Sequence, residues 1–112
     1  MFLLPTMEQY EIFFNSAELV LNSKDYTSAS TLYFKAIFTA IDSIIQKRIG
    51  RTPKDHGERF RMLEKEFKGY YLKLNSLFVT YRDTYSKIIS KEVCEEIKNE
   101  AKFFISEAKK RS

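Results

Sequence analysis

Along most of the chain, apolar residues recur at every third or fourth position, the spacing that stacks side chains on one face of a helix. The richest stretch lies between Ser28 and Phe60. One apolar row takes Ala29, Tyr33, Ala36 with Ile37, Ala40 and Ile44, and a second takes Phe34, Phe38, Ile41 and Ile45. A surface helix needs one such row. Two rows predict a central helix with no long side left to water, covered on several sides by its own domain or on one side by a second copy.

The remaining elements follow from stripes and caps. A first helix is expected from Pro5 or Thr6, with Thr6 as cap and Glu8 near the positive helix end. Its stripe is Met7, Tyr10, Phe13 with Phe14, Ala17, and Val20 with Leu21, and Asn22-Ser23 closes it. Asp25 then offers a cap for the central helix, which runs to Ile49 and stops at Gly50, a rod of about 36 Å. Gly50 to Gly57 reads as a loop, because Pro53 disfavours helix at Thr52 and glycines flank the segment. A short amphipathic third helix carries Phe60, Leu63 and Phe67 as a flap, and Gly69 breaks the pattern. Leu74, Leu77 with Phe78, Tyr81, Tyr85 and Ile88 form the row of a fourth helix. Ser90 caps the last one, whose buried row is Cys94, Ile97, Ala101, Phe104 with Ile105, and Ala108.

Composition narrows the class. With 3 Gly and 2 Pro in 112 residues there is little material for the turns of a β fold, so residues 1–112 are expected to form one all-α domain. Four long helices on short loops pack most simply as an antiparallel up-and-down four-helix bundle, with the short extra helix across one end. The apolar run MFLLP is too short and too soon followed by Glu8 and Glu11 to be a leader. No stretch is apolar over the ~20 residues that cross a bilayer, so a cytoplasmic protein without membrane contact is expected. The single Cys94 excludes an internal disulfide and lies on an apolar row, which makes it a core residue.

Candidate chemistry is sparse. One His and one Cys cannot make a standard zinc site, the scattered acidic pairs read as solvated surface, and no glycine-rich phosphate loop is present, so neither metal nor cofactor is implied. What stands out is the basic loop Arg51-Thr52-Pro53-Lys54-Asp55-His56, flanked by Lys47, Arg48, Arg59 and Arg61. An imidazole that moves a proton and a guanidinium that holds a phosphate are the minimum for metal-free RNA cleavage, and a two-fold dimer would bring two such loops together. The plainer alternative is that His56 caps or hydrogen-bonds the loop while the cations are solvated.

Tyr33 to Phe67, YFKAIFTAIDSIIQKRIGRTPKDHGERFRMLEKEF, resembles the aromatic-rich second helix and the proline-lysine-x-histidine turn of small prokaryotic HEPN domain proteins. Tyr81 to Lys110 is similar to the closing helices of that family, where an Arg and a Tyr stand near Arg82 and Tyr85. The resemblance implies a HEPN-like antiparallel bundle, usually a homodimer. It also implies a possible nucleotidyltransferase partner in a toxin-antitoxin pair. Many HEPN proteins carry an Arg, four to six residues, His motif for metal-independent ribonuclease activity. Arg51 and His56 match that spacing, but between the second and third helices, and the segment Tyr81 to Lys87 that corresponds to the family's motif has no histidine. Three functions are therefore open. They are a nucleotide- or RNA-binding or partner module using Lys47, Arg48, Lys54, Arg82 and Tyr85, an endoribonuclease using Arg51 and His56, and a plain helical dimerisation domain.

Overall fold

Asp25 and Gly50 set the limits of the dominant element. In the computed structural model, which describes residues 7–111, helix α2 spans Tyr26–Ile49. The Asp25 carboxylate accepts the Ser28 backbone N–H at 3.0 Å, and Gly50 ends the helix with a φ of 93°, in the left-handed region that glycine tolerates. Around it lie α1 (Gln9–Asn22), α3 (His56–Glu66), α4 (Lys68–Asp83) and α5 (Lys91–Lys110), so every element among the described residues is a helix. None of them is long and apolar enough to cross a membrane. The start expected at Pro5 or Thr6 lies outside the described residues.

Side-chain pairings give the helix directions. On one flank of α2, Glu18 meets Tyr33 and Phe13 lies near Lys35, so α1 runs antiparallel to it. Glu18 also meets Lys98, and the Ile89 backbone N–H donates to the Thr27 hydroxyl at 2.9 Å, which sets α5 antiparallel to α1 and parallel to α2. On the other flank Tyr81 touches Phe34 and Phe78 touches Phe38, so α4 runs back along α2. The four long helices thus alternate in direction. The extents, 44 × 38 × 22 Å, describe a slab about two helix diameters thick.

Both apolar rows of α2 are covered by this one chain. Ala29, Tyr33, Ala36, Ile37, Ala40 and Ile44 are buried, and so are Phe34, Phe38, Ile41 and Ile45, the second row in part under α4. The second row does not await a second copy. The expectation that no long side of the rod meets water is corrected as well. Ser28, Lys35 and Gln46 are exposed and Thr31, Thr39 and Asp42 half-buried, a polar strip at helical spacing.

Four further expectations change. The short helix α3 does not lie across one end: His56 sits against Phe38, Arg59 pairs with Asp42, and Glu66 approaches Arg48, so it runs parallel to the second half of α2. It also begins one residue before Gly57, since Asp55 is its N-cap. Gly69 breaks nothing, because α3 and α4 are separated by the single non-helical residue Phe67 and Gly69 falls in the first turn of α4. Finally, α4 ends at Asp83, where the Thr84 hydroxyl donates back to the Tyr81 carbonyl at 2.7 Å. The expected apolar row therefore loses its last members. Tyr85 and Ile88 face outward, and the core takes Ile89 instead.

Candidate functional site around His56

The segment from Arg51 to Glu58 is built as a helix start. Asp55 accepts the Glu58 backbone N–H at 2.8 Å, and the Glu58 carboxylate reaches back past the N-cap to the Lys54 backbone N–H at 3.0 Å, a variant of the capping box in the sequence pattern Asp-x-x-Glu. Glu58 also holds Arg51, Nη1 to Oε1 at 2.8 Å. The Arg51 hydrogen bond first, and then the Lys54 N–H, keep its carboxyl below the usual range. Arg51 is thereby spent on the outer side of α3.

His56, in the first turn of the same helix, turns the other way. Its ring is half-buried among Phe38, Phe78 and Tyr81, with centroids at 4.8, 5.2 and 5.4 Å, all edge-on. Its Nδ1 lies 2.6 Å from Arg59 Nη1. A guanidinium has only donors, so Nδ1 accepts, which makes the imidazole neutral with its proton on Nε2. Burial first, and then the Arg59 charge, hold the His56 pKa below its ordinary value.

Arg59 is the centre of this cluster. It is buried, pairs bidentately with Asp42 (Nε to Oδ1 at 2.7 Å, Nη2 to Oδ2 at 2.9 Å), and lies with its guanidinium carbon 5.0 Å from the Phe38 ring centroid. Beyond the aromatic layer, Tyr81 and Tyr85 share a hydroxyl contact at 2.7 Å. Burial, and then that contact, push the Tyr81 phenol up to about 12. The phenol is therefore held protonated near neutral pH, and the imidazole favours its neutral form.

Of the residues singled out from the sequence, Arg51 and His56 belong to one helix start but serve opposite sides of it. A cleft of about 290 Å³ takes in Arg51, Glu58, Arg61, Lys65 and Glu66 without His56. Arg48 is exposed and stands 3.7 Å from Glu66, Lys47 is exposed beside it in the last turn of α2, and Lys54 is exposed at the other end of α3, just before its N-cap. Arg82 and Tyr85 lie apart from these, on and just beyond the last turn of α4, and Tyr85 reaches the His56 cluster only through Tyr81. Asp42 is the functional neighbour that sequence reasoning misses. A lone carboxylate within the apolar run Ala36 to Ile45 needs a buried cation, and that requirement is its one signal.

Compared with family models, curated proteins and solved structures, the chain matches none.

Proposed function

We propose that this chain is a binding module and not a nuclease: a helical domain of HEPN type that engages the phosphates of RNA or a nucleotide through the cations around the end of α2 and the outer side of α3. The observation that carries the non-catalytic half is the Arg59 to His56 hydrogen bond. A general base needs a free basic nitrogen, and here Nδ1 is occupied by a guanidinium that Asp42 holds in place. Arg51 is tied to Glu58 and does not share the imidazole's side of the helix. The binding half is supported by Arg61 and Lys65 lining one cleft, in which Glu58 holds Arg51 and Glu66 stands against Arg48, with Lys54 exposed nearby. The sequence resemblance adds a second copy and a nucleotidyltransferase partner, and those two rest on it alone.

The test is fluorescence anisotropy with a labelled single-stranded RNA, alongside a cleavage assay of the same RNA in EDTA. Saturable binding is expected that weakens steeply with salt and falls about tenfold or more in the Arg61→Glu, Lys65→Glu double variant, as phosphate contacts do. The RNA should stay intact. Cleavage that vanishes in both His56→Ala and Arg51→Ala would instead establish the ribonuclease, and no binding at low salt would remove the anion-binding half.

A further inference from the structure

We propose that the groove between α1 and α5 receives an acidic amphipathic helix from a partner protein. It goes beyond the phosphate-binding reading and uses none of its residues. The two helices both pack on α2 and are braced against each other by the Glu18 to Lys98 ion pair at 3.1 Å. Past that brace they leave a cavity of about 590 Å³ floored by Phe14 and Ile105. The floor is fixed, since Phe14 stands edge-on against the fully buried Tyr33 at 5.4 Å.

Two features choose the occupant. The α5 rim carries Lys102, Lys109 and Lys110 against the single Glu11 on the other side. Lys110 is satisfied by Glu107 at 3.0 Å, while Lys102, which acts on Glu18 only at longer range, and Lys109 are in no ion pair among the described residues. They are seven residues apart, about 10 Å along α5, which matches carboxylates two turns apart on an antiparallel or parallel partner helix. The second feature is the apolar floor, Phe14 and Ile105, which lines the same cavity as the lysines. A small anion would meet one lysine and leave that floor bare. A helix with leucines at i, i+3, i+4 and i+7 and glutamates on one flank covers the floor while meeting the lysines.

The probe is a labelled designed peptide of about 15 residues, long enough to hold a helix, with that leucine pattern and a glutamate flank. Its counterpart carries lysines in place of the glutamates. Saturable anisotropy change is expected with the acidic peptide, at least about tenfold weaker in the Lys102→Glu, Lys109→Glu double variant and with the basic peptide. Both substitutions are at exposed positions, so the variant folds, which circular dichroism checks. Equal binding of the two peptides, or indifference to the double variant, would overturn the proposal. So would displacement of the acidic peptide by RNA, saturable binding of laurate without peptide binding, or a sedimenting dimer that the double variant dissolves, each of which assigns the groove to another occupant. Failure here leaves RNA binding at Arg61 and Lys65 untouched, so the two readings fail separately.

Discussion

His56 is the one titratable side chain whose state the surrounding structure dictates near neutral pH. The Arg59 guanidinium can only donate to Nδ1, and the aromatic rings around the imidazole remove water, so protonation would set two cations against each other in a dry site. Its folded pKa therefore lies below the ordinary 6.5. In the unfolded chain the ring takes up a proton as pH falls through 6.5, whereas in the folded chain it resists. The stabilising contribution is present in full above 6.5 and is lost as pH falls through the folded pKa. Because there is a single histidine, its ring protons give an unambiguous NMR titration. A midpoint below 6.5 is expected, and one at or above that value would contradict the Nδ1 assignment. In His56→Gln, which keeps an acceptor but cannot titrate, urea stability should lose less than the wild type over the same range. The partner carboxylate can be tested by itself. Asp42→Asn removes the charge opposite a buried guanidinium and should cost about 2 to 4 kcal/mol in denaturant unfolding, since breaking one side of a buried pair strands the other.

At the level of single helices, what could be read in advance depended on whether a cap and an apolar stripe agreed locally. For α2 and α5 they did: Asp25 and Ser90 both accept backbone N–H groups as N-caps, and the rows Ala29 to Ile44 and Cys94 to Ala108 are buried apart from the half-buried Ile105. For α3 the local signal is the Asp55-x-x-Glu58 pattern, masked by Pro53 and two glycines that suggest an uninterrupted loop. The direction of α3 had no local signal at all, because it follows from Arg59 finding Asp42 seventeen positions back. The same holds for the candidate site. His56, the surrounding cations and the Arg59 that occupies Nδ1 stand close together in the sequence, but the Asp42 carboxylate that holds that guanidinium and the rings around the imidazole come from α2 and α4, which only the tertiary fold brings to it. The end of α4 was illegible for a different reason, a hydroxyl at Thr84 that competes for the Tyr81 carbonyl while the apolar spacing runs on. If Asp55 is the true start of α3, Asp55→Ala should cost about 1 kcal/mol. The same change should also loosen Arg51, since the Glu58 that holds it is fixed by the cap. Thermal unfolding measures the first effect, and faster hydrogen exchange at the backbone amides of Lys54 and Glu58 reads the second.

Across the whole molecule, burial is distributed unevenly. Eleven residues of α2 and five of α5 are buried, against three in α3 and Leu74 alone in α4. The hairpin of α3 and α4 is therefore a wing held to α2 by the aromatic layer of Phe34, Phe38, Phe60, Phe78 and Tyr81 and by the Arg59 to Asp42 pair, and to α5 by Tyr70 against Phe104 and by Lys73 on Glu100. Opening it exposes rings but leaves the α1, α2 and α5 layer intact, with Tyr33 still bonded to Glu18 and Ile89 still bonded to Thr27. Regions with few buried contacts open at lower free energy than the core they rest on. Native-state hydrogen exchange should accordingly separate two groups, with mid-helix amides of α4 at least about tenfold less protected than those between Tyr33 and Ile45 of α2. Phe78→Ala removes the ring that touches His56, Phe38, Phe60 and Tyr81 together, at a cost of about 3 kcal/mol. If the wing is a separate opening unit, that loss should appear almost wholly in the exchange of α3 and α4, and the His56 titration should move up toward 6.5 as the imidazole gains water. A uniform loss of protection across α1, α2 and α5 would mean instead that the five helices open as one cooperative body.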